Sequence, residues 1–337
     1  AGTITDISNT EFKSEYQFLD TDTEGLVVFS IAFSDSSGNN GVEVTSTTNS
    51  SWVVFDKTAP ADFNTGSVNS TGGNQVADIW NSTNTGVNVL VSVAGNDSTI
   101  INGKVQIWAK IALNPWEKIG DHFIIDSEDS GADKVLAISD SQVEAITGFA
   151  NEDTITFKTV IIDRAGNEKD GTPSINRLVI DETLPSITYV SYRSNFSDST
   201  LATVGNEIIL TLKTNETVQE PVVTISGQNT EISDMGNNKW TANYLMQDGD
   251  PDGVIPFDIG AILDISGNPN NGTTSTTDGS SVIFDNTKPE LDIVRIASNN
   301  PDSIWAKVGD MVSIHFVANE FLTSQTSNIV GQSMSIT

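Results

Sequence analysis

The chain lacks cysteine entirely, contains only two histidines and has no long apolar run. Without cysteine, neither disulfide bonds nor thiolate metal sites can form, so stability must come from packing. The longest apolar stretches are strand-sized, and none approaches the roughly 20 residues that a membrane-spanning helix needs. His122 and His315 lie far apart in the sequence, and no nucleophile–base pair or phosphate-binding loop stands out. The sequence therefore predicts a protein that is not an enzyme and has no membrane span.

Basic residues are also scarce. Lys and Arg together number 16 against 45 Asp and Glu, which gives a formal net charge of −29. Such a surface repels nucleic-acid phosphates and anionic lipid headgroups, so the composition argues against both as partners. Two interpretations of the charge stay open: binding of divalent cations, or solubility in a salty medium.

The most informative feature is an internal repeat. Residues 181–228 match residues 285–332 at a constant offset, and residues 1–60 match the remaining part of the same unit. Phe12 falls on Trp240, Tyr16 on Tyr244 and Phe55 on Phe284. The sequence thus divides into an N-terminal part (1–60, the back of a repeat), a longer middle module (61–185), a complete repeat (186–289) and a C-terminal part (290–337, the front of a repeat).

Two short motifs recur through these segments. Asp-x-x-Gly-Asn, here named the Asp–Asn turn, occurs at 35–39, 163–167 and 264–268. Asp-x-Thr-x-Pro, here named the junction motif, closes successive segments at 56–60, 181–185 and 285–289. The first predicts a tight turn with Gly or Asn at positive φ. The second predicts a strand end, where Asp caps a turn and Pro stops the hydrogen-bond ladder.

The local pattern is β throughout. Apolar and polar residues alternate over residues 207–213, 221–226, 239–246 and 254–259, with Gly, Asn, Asp and Ser clusters between them. Only residues 140–146 favour a short helix. About seven strands per hundred residues, with a turn every 8 to 12 residues, is typical of an Ig-like sandwich. We therefore predict an all-β fold of tandem Ig-like β-sandwich domains in a linear array.

The repeat resembles the bacterial Ig-like repeats of very large extracellular surface proteins and adhesins. The motifs that carry the resemblance lie at residues 202–216 and 306–320, 240–244, 264–268, and 276–289. The middle module resembles a second repeat type of the same arrays, through residues 80–85 and 163–167. Asn206 departs from the usual Gly-Asp pair, which Asp310 keeps. The resemblance implies a structural role at the cell surface, in spacing, adhesion or surface assembly.

Alternating carboxylates form two loops that we name the acidic turns. They contain Asp20, Asp22 and Glu24 before Gly25, and Asp248, Asp250 and Asp252 before Gly253. Calcium takes six to eight oxygen ligands, so each turn is a candidate calcium site that Asp35 or Asp264 could complete. The turns are not EF-hands, because Ile31 and Ile259 stand where the bidentate Glu would be. The alternative is a hairpin turn whose Asp and Gly residues only suit its geometry.

The junction motifs pose the same choice. Asp56, Asp181 and Asp285 are candidate ligands for a cation held between successive modules. The simpler interpretation is a capped turn at a strand end, since one carboxylate is too few to hold calcium without help from other loops.

A second function class rests on the middle module. Trp108 and Trp116 could stack against a surface glycan, which would make the chain a glycan-binding adhesin module rather than a structural one. Interior packing of both rings is the alternative interpretation.

The N-terminal and C-terminal parts are complementary pieces of one repeat. Each part alone would expose an apolar face and unpaired strand edges, and such edges recruit strands. We expect the C-terminal part of one copy to complete a sandwich with the N-terminal part of the next, head to tail. The alternative is one very long polypeptide that forms the same contacts within a single chain.

Overall fold

The structure is a computed structural model that describes residues 4–8 and 10–334, and nearly all of its regular structure is β. The chain forms two compact units. The first contains the described residues up to Pro185 together with Leu263–Asn270, and the second contains Ser186–Ile262 and the described residues from Asn271 onward.

The N-terminal part of the first unit consists of short paired strands. These strands are β1 (Ile4–Ser8), β2 (Glu11–Ser14), β3 (Gly25–Leu26) and β4 (Val54–Phe55). β1 pairs with β2 and β3 with β4, in both cases antiparallel. Most of the large apolar side chains of this part are exposed to solvent.

The middle module is a two-sheet sandwich. Its strands are β5 (Thr65–Thr71), β6 (Ile79–Asn81), β7 (Gly86–Ser92), β8 (Lys104–Ile111), β9 (Glu117–Ile124), β10 (Asp133–Ser139), β11 (Thr154–Ile162), β12 (Glu168–Asp170) and β13 (Leu178–Asp181). One sheet has the order β10-β7-β5, and the other has the order β6-β13-β11-β8-β9, with β12 paired to β11. Alternate residues of both sheets fill one buried core, as the pleat of a strand requires.

Trp80 is one of the large side chains of that core. Its ring is completely buried, and its indole Nε1 donates a hydrogen bond to Glu182 Oε1 over 3.1 Å. A short helix, α1 (Asp140–Glu144), follows β10, with Ser139 and Gln142 forming a capping box at its start. The predicted helix at 140–146 is therefore present and ends two residues earlier. Single 3₁₀ turns form at Ser98–Ile100 and Ser127–Asp129.

The complete repeat builds its own core in the second unit. Its strands are β14 (Ile187–Ser194), β15 (Leu201–Ala202), β16 (Glu207–Thr214), β17 (Val223–Ile225), β18 (Gln228–Asn229), β19 (Glu231–Asp234), β20 (Lys239–Leu245), β21 (Gly253–Val254), β22 (Phe257–Ile259), β23 (Ile262–Leu263), β24 (Pro269–Asn270) and β25 (Ile283–Phe284). The sheets have the orders β14-β16-β20-β19, β15-β25-β21 and β18-β17-β22, and β23 pairs with β24. Along β16, Ile208, Leu210 and Leu212 are buried while the residues between them are less so.

One predicted strand of this repeat is divided. Residues 254–259 form β21 and β22 instead of one strand, and Pro256 lies between them. Pro256 has no backbone N–H to donate to a ladder, so it interrupts the pairing. β21 pairs with β25, whereas β22 pairs with β17.

The C-terminal part consists of two hairpins. Its strands are β26 (Leu291–Ser298), β27 (Val312–Ala318), β28 (Ser327–Ile329) and β29 (Gln332–Met334). β26 pairs with β27 and β28 with β29. No helix in the described part of the chain is long and apolar enough to cross a membrane.

Candidate functional site

Open sheet faces distinguish the two terminal parts from the complete repeat. Ile259 and Val282 are fully buried in the complete repeat, while their equivalents Ile31 and Val53 are 52% and 60% exposed in the N-terminal part. The C-terminal part shows the same contrast. Val190 is fully buried, and its equivalent Val294 is 60% exposed. Several positions that form the core of the complete repeat are therefore exposed in the two terminal parts.

The hairpins of the terminal parts are nevertheless already correctly paired. In the complete repeat Asp234 pairs with Trp240, and the equivalent Asp6 pairs with Phe12 in the N-terminal part. Likewise Val190 pairs with Leu212 in the complete repeat, and in the C-terminal part Val294 pairs with Phe316. Each part therefore holds the local register of the repeat.

The middle carboxylate of each acidic turn stabilises the turn itself. In the complete repeat, Asp250 accepts hydrogen bonds from the Tyr244 hydroxyl and from the backbone N–H of Gln247. In the N-terminal part, Asp22 accepts the equivalent bonds from the Tyr16 hydroxyl and the Leu19 N–H. Burial, together with the hydrogen bond to Asp250, raises the pKa of the Tyr244 hydroxyl. The two turns thus have the same geometry because each contains the same tyrosine–aspartate pair.

The last carboxylate of each acidic turn holds the junction motif. Asp252 accepts hydrogen bonds from the Asn286 N–H and the Thr287 hydroxyl. The equivalent Glu24 accepts bonds from the N–H of Lys57 and the hydroxyl of Thr58. These bonds connect positions more than 30 residues apart, and they fix the start of the junction to the body of its own module.

The first position of each acidic turn also contacts the junction motif, through different groups in the two copies. Asp248 Oδ1 accepts a 2.8 Å hydrogen bond from the Asn286 amide. In the N-terminal part Lys57 stands where the complete repeat has Asn286. Its ammonium group donates hydrogen bonds to the backbone carbonyls of Asp20 and Asp22. The link between turn and junction therefore persists although the junction residue changes.

We predict that Asp252→Asn lowers the melting temperature of the second unit by roughly 2 °C at neutral pH, because a charged acceptor is lost. Hydrogen bonds from Thr287 and then Asn286 lower the pKa of the Asp252 carboxyl. A depressed folded-state pKa gives stability that is complete above the ordinary Asp value of about 3.9 and is lost as the pH falls through the folded value. The difference between wild type and variant should therefore vanish in acid.

Calorimetry over a pH series measures this effect, and Asp258→Asn is the control. Asp258 is exposed on β22, and its substitution removes the same charge without touching the junction. Equal shifts for both variants, or a difference that persists in strong acid, would contradict the role of Asp252.

The carboxylates of the acidic turns are directed at separate donors. Among the residues that the structure describes, no three His, Cys, Asp or Glu side chains come together in a group that could hold a metal ion. Asp35 and Asp264, the proposed completing ligands, instead accept hydrogen bonds inside the Asp–Asn turns. Calcium binding at these positions stays a prediction.

The three junction motifs form the same type of turn. The Asp carboxyl of each motif accepts a hydrogen bond from the Thr N–H two residues later: Thr58 to Asp56 at 3.0 Å, Thr183 to Asp181 at 3.1 Å and Thr287 to Asp285 at 3.1 Å. This capped turn is the geometry that the simpler interpretation of the motif predicts. Binding of a cation by Asp56, Asp181 or Asp285 stays a prediction.

The three Asp–Asn turns are also built alike. In each, the Asp carboxyl accepts the backbone N–H of the Asn, and the Asn Nδ2 donates back to the other oxygen of the same carboxyl. The glycine between them has a φ of +85°, +98° and +94° at Gly38, Gly166 and Gly267. Residues with a Cβ rarely adopt this conformation, so the glycine is required. Hydrogen bonds led by that from Asn39 lower the pKa of the Asp35 carboxyl.

Two of these turns donate a hydrogen bond to a junction motif. Asn167 Nδ2 donates to the backbone carbonyl of Asp56 at 3.2 Å, and Asn268 Nδ2 donates to the carbonyl of Asp181 at 2.9 Å. Both contacts lie within the first unit, which includes the segment Leu263–Asn270. The sequence predicted the turns but gave no sign of this second contact, because its acceptor is a backbone oxygen.

The segment Leu263–Asn270 has further partners in the first unit. Asn81 Nδ2 donates to the carbonyl of Ser266 at 2.7 Å, and the Ser82 N–H donates to Asn268 Oδ1 at 2.8 Å. Asn74 Nδ2 adds a bond to the Gly267 carbonyl. Polar side chains of the loop around β6 therefore surround this turn.

The two candidate aromatic residues of the middle module lie beside lysines. Trp108 and Trp116 are both partly buried. The Lys158 ammonium lies 5.4 Å from the Trp108 ring centroid and 5.1 Å from that of Trp116, while Lys118 and Lys110 approach Trp108 and Trp116 respectively. These are cation–π contacts, so ammonium groups occupy positions over rings that a stacked sugar would need.

No protein-family model matches the chain, and no curated protein matches it. Among solved structures, a bacterial ice-binding adhesin of 1.5 MDa, described for its host cell surface retention, is 17% identical over 80% of this chain and 77% of its own, with a TM-score of 0.37. A chicken TCR is 10% identical over 67% and 99%, with a TM-score of 0.23. A Bacteroides ovatus protein of a mixed-linkage glucan utilization locus, in complex with a heptasaccharide, is 14% identical over 86% and 63%, with a TM-score of 0.18. At such low TM-scores none of them bears on what this chain binds.

Proposed function

We propose that the chain is a structural, non-catalytic component of an extracellular surface array, and that its copies join head to tail by strand complementation. The observation that supports this proposal is the matched exposure of the two terminal parts. Each exposes several positions whose equivalents are buried in the complete repeat, and each retains the register of that repeat.

The complete repeat supplies the register of the joined module. There, β16 pairs with β20 so that Leu212 lies opposite Trp240. The equivalent residues are Phe316 in the C-terminal part and Phe12 in the N-terminal part, so these two should lie opposite each other across the joint.

A second sheet of the joined module follows in the same way. β15 pairs with β25 so that Ala202 lies opposite Phe284. The equivalents are Ala306 and Phe55, one from each terminal part. Both of these sheets would therefore contain strands from two copies, which pairs the inner strand edges of the two parts.

Sedimentation velocity of the whole chain over a concentration series tests the proposal. We expect a progression from monomer to dimer and longer oligomers, because a heterologous contact does not close after one step unless a ring forms. A single monomeric species up to millimolar concentration would overturn complementation between separate copies. It would leave the version in which the same contacts form along one continuous polypeptide.

Calcium is a further part of the proposal. If the acidic turns or junction motifs bind calcium, ligand bound only to the native state must raise the melting temperature. Melting curves in millimolar calcium and in chelator test this, and identical curves would exclude the sites.

Glycan binding through the middle module is the alternative function. The observation that favours it is the grouping of three lysines with Trp108 and Trp116 in a chain that is otherwise strongly acidic. Such a cluster suits an anionic polysaccharide that binds the ammonium groups held beside the two rings, rather than a sugar stacked on the rings. Binding of the chain to an acidic polysaccharide, lost in Trp116→Ala with an unchanged circular dichroism spectrum, would support this alternative.

A further inference from the structure

The junction motifs and the Asp–Asn turns occur in equal number, and the structure pairs two of each. The junction motif at Asp56 is held by the turn at Asn167, and the junction motif at Asp181 is held by the turn at Asn268. In both pairs the donor is the Asn amide and the acceptor is the backbone carbonyl of the junction Asp. In both pairs the turn belongs to the segment that follows the junction in the repeat order.

One member of each kind remains. The turn at residues 35–39 has the same internal hydrogen bonds as the other two, with Asn39 Nδ2 donating to Asp35 Oδ2 at 2.8 Å. The junction motif at residues 285–289 has the same Thr-to-Asp capping bond as its two equivalents. The geometry of the two existing pairs is thus present in a third donor turn and a third junction motif.

Burial separates the used turns from the remaining one. Asp264 and Asn268 are fully buried, and Asp163 is 4% exposed. Asp35 and Asn39, which hold the equivalent positions, are both exposed. The three turns have the same internal hydrogen bonds. The difference in their exposure therefore comes from the neighbouring residues that cover two of the turns and not the third.

We propose that Asn39 binds the junction motif of a second copy, its Nδ2 donating a hydrogen bond to the backbone carbonyl of Asp285. We name this contact the clasp. This inference rests on the proposed head-to-tail assembly, in which the N-terminal part completes the module that follows residues 285–289. In that module the turn at 35–39 is the one that follows the junction, as the turns at 163–167 and 264–268 are in theirs.

The chemistry explains why an Asn is needed. Its amide nitrogen carries two hydrogens, so one can bond the Asp carboxyl of its own turn while the other bonds a carbonyl outside it. The side chain of an Asp at this position could only accept hydrogen bonds, and that of an Ala could neither donate nor accept them. A buried hydrogen bond of this kind is worth on the order of tenfold in an equilibrium constant.

The test compares Asn39→Ala with Ser37→Ala in the 337-residue chain. Ser37 is in the same turn and contributes a backbone N–H to Asp35, which alanine keeps. The equivalent position in the middle module is Ala165, so alanine is already compatible with the turn. We expect Asn39→Ala to weaken self-association about tenfold and Ser37→Ala to change it less than twofold. The melting temperature of the free chain should change little in either, because the turn is exposed there.

The acceptor side of the Asn268 amide, which binds the loop around β6, can be tested without association. Asn268→Ala should speed hydrogen exchange of the Ser82 N–H about tenfold or more in the free chain, because its acceptor Asn268 Oδ1 is removed. Asn268→Asp keeps an oxygen there and should protect Ser82 better.

The outcomes separate the two proposals. If the wild-type chain associates but Asn39→Ala associates equally well, or if Ser37→Ala is equally weakened, the clasp is wrong and complementation stands. If the wild-type chain does not associate, the contact between Asn39 and Asp285 falls with the proposed assembly.

Discussion

Phe284→Ala is expected to cost the second unit about 3–5 kcal/mol of its free energy of unfolding, whereas Phe55→Ala should cost the free chain less than about 1 kcal/mol. The two phenylalanines hold the same position of the repeat. Phe284 is fully buried in the core of the complete repeat. Phe55 is only partly covered and stacks on Phe18, with ring centroids 4.3 Å apart. Truncation leaves a cavity in the first case and little change in the second.

Urea unfolding followed by circular dichroism measures both values. Phe321→Ala is the control in the second unit, since Phe321 is 89% exposed and its truncation should be nearly neutral. Equal losses for Phe284 and Phe55 would show that the N-terminal part already has a closed core in the free chain, which would remove the support for complementation.

Association should reverse this comparison. Once the N-terminal part is covered by a second copy, Phe55 would enter an environment like that of Phe284. The Phe55→Ala substitution would then weaken self-association although it hardly affects the free chain. A substitution that weakens assembly without affecting folding identifies a side chain that contributes to the interface and not to the stability of the free chain.

The fold could be predicted from the sequence because the alternation of apolar residues is local. Residues 207–213 and 239–246 formed the predicted strands β16 and β20 with shifts of one residue at their ends. Residues 254–259 did not form a single strand, since pairing with two different partners on either side of Pro256 depends on contacts far along the chain. Alternation shows that a segment is extended; it does not show which strand lies beside it.

The candidate site was harder to predict for the same reason. The spacing of carboxylates in the acidic turns suggested a shared ion, yet Glu24 and Asp252 bond groups 33 to 35 residues away in the junction motif. The Asn of each Asp–Asn turn was predicted as a turn residue only. Its second partner is a backbone carbonyl, and every residue has one, so no side-chain pattern marks the acceptor.

Blocking one end of the chain should stop assembly at a defined size. Val53 and Val294 are each 60% exposed in the free chain, and their equivalents Val282 and Val190 are fully buried in the complete repeat. Val53→Asp should therefore block the N-terminal part, and Val294→Asp the C-terminal part, by more than about a hundredfold in affinity. A lone carboxylate buried in a core without a partner costs several kcal/mol.

Controls for these variants come from the same two parts. Val42 and Val308 are exposed in the free chain, and their equivalents Asn271 and Val204 are exposed in the complete repeat as well. Val42→Asp and Val308→Asp add the same charge at positions that the joined module leaves in solvent. Both should assemble like the wild-type chain, which separates loss of packing from simple repulsion between acidic molecules.

Mixing the two blocked variants distinguishes a head-to-tail joint from any other. Val53→Asp retains an intact C-terminal part, and Val294→Asp retains an intact N-terminal part, so each should be monomeric alone while the mixture forms a one-to-one dimer. The dimer cannot grow, because its remaining ends are the blocked ones. A symmetric contact would behave differently: if two C-terminal parts joined each other, Val53→Asp would dimerise alone and the mixture would add nothing. A dimer that appears only on mixing thus requires two different surfaces, one from each end of the chain.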